Sequence, residues 1–140
     1  MSEGKKSFVL LLLQLSSSKN KFPILIDQPE DDLDNRAIYE ELVKYLKVKK
    51  SERQFIIVTH NANVVIAADS ENIIVANQDG VGTENKNGVK HQYISGSIEN
   101  TYKKDSECIL EKQGIREHIC DILEGGEVAF KKRKEKYKFF

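Results

Sequence analysis

At 140 residues the chain is one domain's worth of sequence, long enough to bury a core of its own. Its 22 Lys and Arg balance 22 Asp and Glu, so overall charge selects neither nucleic acid nor a membrane surface as a partner. Two cysteines, Cys108 and Cys120, are too few for a disulfide framework, and no Cys/His cluster stands at zinc-ligand spacing.

In chain order, Met1–Lys6 is a short polar opening, and Ser7–Leu15 is apolar almost all round, which suits a helix buried between neighbours. The apolar run Phe8–Leu13 is too short to span a bilayer and lacks the layout of a cleavable signal. The chain therefore reads as cytoplasmic, with no membrane partner. After a turn at Ser16–Lys21, Phe22–Ile26 reads as a strand, with Pro23 near its start, where a missing N–H is tolerated. Asn35–Lys49 has helical spacing, with Ile38, Leu42, Val43 and Leu46 on one face. A basic turn at Lys49–Arg53 leads to a second apolar strand, Gln54–Val58, which ends in Thr59-His60-Asn61.

Ala62–Ala68 predicts a short helix and Asn72–Ala76 a third strand. Strand, helix, strand, helix, strand with short loops predicts an α/β fold with a parallel sheet and right-handed crossovers. Asp79–Gly88 is a loop with three glycines, joined to a strand at Lys90–Ile94, and Gly96-Ser97 breaks the pattern. From Glu107 the spacing turns helical, with Ile115, Ile119, Ile122 and Leu123 on one face. Cys108 and Cys120 then fall on one helix, too far apart to bridge each other. Gly125-Gly126 ends that helix, and Glu127–Tyr137 reads as a last, basic helix. Its Lys131–Lys138 run could contact DNA or RNA phosphates, although a solvated helix face is the commoner role of such a run.

The stretch that stands apart is Asp27–Asp34, where five carboxylates fall within eight positions directly after an apolar strand. An acidic, solvated loop would account for the charge alone. In open α/β sheets, however, ligands sit at the carboxyl ends of the strands. Both of the first two strands end in polar chemistry, Asp27 on one and His60 on the other. An Asp in that place suits a magnesium ion held through its water beside nucleotide phosphates, and a His can hydrogen-bond a phosphate or an attacking water. Capping a strand or helix end is the plainer role for His60 taken singly.

Asp27-Gln28-Pro29-Glu30-Asp31-Asp32-Leu33-Asp34 resembles the Walker B motif and D-loop of ABC-type ATPases, Asp-Glu-Pro-Thr-x-x-Leu-Asp. Ile56-Ile57-Val58-Thr59-His60-Asn61 resembles their switch-histidine segment, and Met1-Ser2-Glu3-Gly4-Lys5-Lys6 their signature motif, Leu-Ser-x-Gly-x-Lys/Gln. The three occur in the family's order. The fullest likeness is to the SMC-like, AAA-labelled ATPases of bacteria, the group that includes the TrlF family. It extends over Gly96-Ser97-Ile98-Glu99-Asn100 and Leu123–Phe130, and so over nearly the whole chain. The resemblance implies the C-terminal lobe of a P-loop ATPase head, a mostly parallel sheet flanked by helices with a helical C-terminus. The chain is then one partial domain: residues 1–78 the signature helix, Walker B, D-loop and switch-histidine core, 79–97 a loop and hairpin, 98–140 a helical segment.

Roles implied by the resemblance follow residue by residue. Ser2 and Gly4 would bind the γ-phosphate of ATP held by a second head, aided by the N-terminus of the helix that follows; as a plain feature, Ser2 is an N-cap. Asp27 would orient magnesium, Asp34 would cross the dimer interface, and His60 would sense the γ-phosphate. Where ordinary ABC ATPases place a catalytic glutamate, this chain has Gln28, and a carboxamide cannot act as a base. Either Glu30 or Asp31 supplies the carboxylate instead, or water is merely positioned, or hydrolysis is slow. No Walker A appears, since Gly4-Lys5-Lys6-Ser7 fails its spacing, so the phosphate cradle and any coiled-coil arm would lie upstream of Met1. The expected partners are an N-terminal lobe with Walker A, a second ATPase head, and DNA or RNA; the expected cofactors are ATP and Mg2+. The expected function is half of an ATP-hydrolysing head that dimerises with ATP, in DNA repair or defence against foreign nucleic acid. The alternatives are a non-hydrolysing, ATP-gated switch module and an inactive fragment.

Overall fold

The computed structural model describes residues 3–17, 19, 21–29 and 36–123. The chain divides into two compact units, Met1–Asp69 and Ser70–Phe140.

In the first unit α1 (Glu3–Ser17) precedes β1 (Ile24–Asp27), α2 (Arg36–Lys49), β2 (Phe55–Val58) and α3 (Ala62–Ala67). The two strands pair in parallel, Ile24 opposite Phe55 and Asp27 opposite Val58. Their side chains alternate, as the pleat requires. Ile24, Ile26, Phe55 and Ile57 point into a core with Leu42, Leu46, Ala68, Phe8 and Leu11. Leu42, Val43 and Leu46 form the buried stripe of α2, as its spacing predicts. The outer face of that helix carries the exposed pairs Arg36–Glu40 and Glu41–Lys44, which solvent screens and which add little to stability. Lys50 closes the unit, its Nζ donating to the carbonyl of Asp69 at 3.0 Å and to its carboxylate at 2.9 Å.

Two expectations for this unit change. The first helix starts at Glu3 rather than Ser7, so Gly4, Lys5 and Lys6 lie within its first turns. It is also not buried all round: Val9, Leu10 and Leu13 are 43%, 60% and 60% exposed. A helix apolar on every side needs neighbours on every side, and among the described residues α1 has them on one.

In the second unit β3 (Ile73–Gln78) pairs antiparallel with β4 (His91–Gly96), Ile73 opposite Gly96 and Gln78 opposite His91. The third strand is therefore not a member of the parallel sheet; the described strands form two separate two-stranded sheets. The loop after β3 explains the change. Asn85, 5% exposed, donates from Nδ2 to the carbonyl of Val89 at 2.9 Å and accepts from Asn77 Nδ2 at 2.8 Å, while its N–H reaches Asp79 Oδ1 at 2.7 Å. These bonds fold residues 79–90 back on themselves and return the chain as a hairpin partner.

The continuous helix expected from Glu107 is a short 3-10 turn, Ile109–Glu111, followed by α4 (Ile115–Ile122). Gly114 separates them. A Cβ there would lie 2.6 Å from the carbonyl oxygen of Asn100, because residues 100–102 run directly against it. Asn100 also caps α4, its Oδ1 accepting from the N–H of Ile115 at 3.1 Å and its carbonyl from that of Arg116 at 3.0 Å. Cys108 thus lies just before the 3-10 turn and Cys120 on α4, both as free thiols. Ile115 and Ile119 are buried as their spacing predicts, whereas Ile122 is half exposed. His118, also buried, links the 3-10 turn to α4, with Nε2 3.2 Å from the carbonyl of Leu110 and Nδ1 3.4 Å from Gln113 Nε2. Gly125-Gly126, the expected helix Glu127–Tyr137 and the basic run Lys131–Lys138 lie outside the described residues.

Candidate functional site

Because β1 and β2 run in parallel and in register, both finish at the same edge. The ladder continues one residue past β1, with the Gln28 N–H donating to the Val58 carbonyl at 2.8 Å. There the backbone turns sharply: Gln28 has φ 44°, the left-handed region that costs a residue with a Cβ about 1–2 kcal/mol. Pro29, the next residue, is buried. The turn brings the Gln28 side-chain amide to His60, Nε2 to Nδ1 at 3.4 Å.

His60 leaves the end of β2 in a loop of three residues that is fixed on both sides. Thr59 Oγ1 accepts from the N–H of Asn61 at 2.9 Å, and Asn61 Oδ1 accepts from that of Asn63 at 3.0 Å, which caps α3. The sequence reading gave no role to Thr59 or Asn61. The signal was present, since Asn directly before a helical run is an N-cap pattern.

Asp27 is exposed and lies on the sheet face opposite to the core. It shares that face with Leu25, Ile56 and Val58, which are 68%, 45% and 50% exposed. Parallel strands are ordinarily covered on both faces, and among the described residues one face of this pair is covered. Beside β1, an open groove of about 610 Å³ is lined by Leu10, Leu11 and Gln14 of α1 and by Phe22 to Asp27. Among the described residues no strand pairs with the outer edge of β1.

The structure thus brings Asp27, Gln28 and His60 to one edge. It places Gly4 in the first turn of α1, outside the lining of the groove. Ser2, Glu30, Asp31 and Asp34 lie outside the described residues. No group of three or more His, Cys, Asp or Glu among the described residues could enclose a metal. A single exposed Asp at a strand end fits a magnesium ion that keeps most of its waters, not one caged by protein ligands. No helix among the described residues is long and apolar enough to cross a membrane.

No family model matches the chain, and no curated protein matches it. Among solved structures it is similar to one described as "Structural biochemistry of ATP-driven dimerization and DNA stimulated activation of SMC ATPases". Sequence identity is 25% and the TM-score 0.49, over 71% of this chain and 56% of that one. The chain spans little more than half the length of that neighbour.

Proposed function

We propose that the chain is the C-terminal half of an ABC/SMC-like ATPase head, completed by a lobe that carries the phosphate-binding loop. The observation that carries this reading is the convergence of Asp27, Gln28 and His60 at the carboxyl ends of two adjacent parallel strands. Strand ends of this kind are where open α/β sheets receive ligands. In the proposed head Asp27 orients hydrated magnesium and His60 hydrogen-bonds a terminal phosphate oxygen. Gly4, at the start of a helix of 15 residues, faces the nucleotide of a second head, with Ser2, and Asp34 crosses between the heads. The uncovered face of Leu25, Ile56 and Val58 supports a missing companion, since apolar strand residues left in water give up the burial that stabilises a sheet. ATP-dependent dimerisation would serve DNA repair or defence against foreign nucleic acid.

A second reading, an ATP-gated switch that scarcely hydrolyses, is favoured by one specific observation. The position of the usual catalytic glutamate is a carboxamide, and it is turned onto His60. In that case Glu30 supplies no base either, and Glu30→Gln leaves turnover unchanged while Gln28→Glu raises it.

The test is calorimetry and light scattering with Mg-ATP, on the chain alone and joined to a lobe that carries a Walker A motif. The chain alone is expected to show no appreciable affinity, and the joined head to bind ATP and dimerise with it. Asp27→Asn should abolish that dimerisation. A joined head that ignores ATP, or an Asp27→Asn head that dimerises normally, overturns the reading.

A further inference from the structure

We infer that Gln28 is a positioning residue for His60, fixing its imidazole in the tautomer with the proton on Nε2. The inference deepens the reading of the strand ends as a phosphate site, on which its functional meaning rests. It begins with the backbone. Gln28 is tied to β2 through the Val58 carbonyl at 2.8 Å and held at φ 44°. A left-handed glutamine is strained, and it persists only where its surroundings over-determine it. The strain aims the side-chain amide at a ring whose own loop is fixed by Thr59 and Asn61.

Chemistry then sets the proton. The amide nitrogen of Gln28 can only donate, so Nδ1, 3.4 Å away, must accept. In an uncharged imidazole whose Nδ1 accepts, the hydrogen resides on Nε2. His60 therefore offers a donor from Nε2, the form suited to a phosphate oxygen, which only accepts. A glutamate at position 28 would do the reverse. An acceptor facing Nδ1 draws the hydrogen of the uncharged ring to that nitrogen. The carboxamide is thus more than a lost base; it sets which ring nitrogen of His60 carries the hydrogen.

The test is a long-range proton–nitrogen correlation spectrum of the full chain labelled with 15N-histidine, in mildly alkaline buffer without nucleotide. The chain has three histidines, His60, His91 and His118, and the signals that vanish in His60→Gln identify the ring in question. In the native chain His60 Nε2 should resonate in the protonated region and Nδ1 in the unprotonated one. Gln28→Glu should exchange the two, and Gln28→Ala should yield a mixture. His118, whose Nδ1 also faces a glutamine amide, should keep its native signals and so report that the fold is intact. A native His60 with its hydrogen on Nδ1 overturns the proposal without any variant. Folded Gln28→Glu and Gln28→Ala proteins with native His60 signals overturn it too. Because the spectrum contains no ATP, its outcome is separate from that of the dimerisation test.

Discussion

A buried amide side chain is costly unless each of its polar atoms is matched, and Asn85 is matched throughout. Its Nδ2 reaches the carbonyls of Asn77, Val89 and Lys90, and its Oδ1 takes the second amide, from Asn77. Asn85→Ala strands those carbonyls in a buried place and should cost about 2 kcal/mol, read as a lowered midpoint in urea denaturation with an unchanged slope. Asn85→Asp should also destabilise, since a carboxylate would face the same carbonyls that the amide satisfies. The residue was silent in the sequence, one asparagine in a Gly-rich loop. Its function depends on partners that become neighbours only when β3 and β4 pair. Gln28 was legible as a departure from a motif, but its left-handed backbone and its contact with His60 were not, because φ is set by where the chain must turn.

Among elements, α4 is held at its start by a segment far from it in sequence. The Thr101 hydroxyl donates to the Glu117 carboxylate and, with backbone N–H groups that include that of Gly114, keeps it below the ordinary carboxylate range. In the first unit, the Lys50 ammonium does the same to Asp69. A carboxylate whose pKa is lower folded than unfolded stabilises the fold above its unfolded pKa and loses that contribution as pH falls through its folded pKa. Stability should therefore decline as pH falls from the ordinary carboxylate range to below it. Glu117→Gln should flatten part of that decline in thermal melts collected across acidic pH. The helices of the first unit were readable because α2 keeps one apolar stripe; Leu42, Val43 and Leu46 suffice to orient it. The third strand was misread for a physical reason. Ile73 and Val75 suit a parallel or an antiparallel neighbour equally, and what decides between them is the loop that follows.

For the whole molecule, the described surface carries apolar side chains where a finished sheet would hide them. Replacing Leu25, Ile56 and Val58 together by Thr preserves strand propensity and removes apolar surface that is already wet. Each change should shift stability by no more than about 0.5 kcal/mol, while fluorescence of a hydrophobic dye bound to the isolated chain should fall several-fold. Unchanged fluorescence would place the dye on another surface. The joined head described above should suppress the same dye signal in the native sequence. The exposure of one face of the β1–β2 pair was not readable in the sequence, where Leu25, Ile56 and Val58 look like any core strand residues; the structure shows them facing solvent.

Among the described residues the outer edge of β1 is unpaired and one sheet face is wet, and both features bear on the life of the chain in a cell. Unpaired strand edges template association with whatever strand they meet, and exposed apolar surface is what chaperones and proteases act on. In the head proposed above, copies made in excess of the second lobe should be short-lived, and co-expression should extend their half-life. In that head the uncovered face of β1 and β2 acts as the gauge of imbalance in supply.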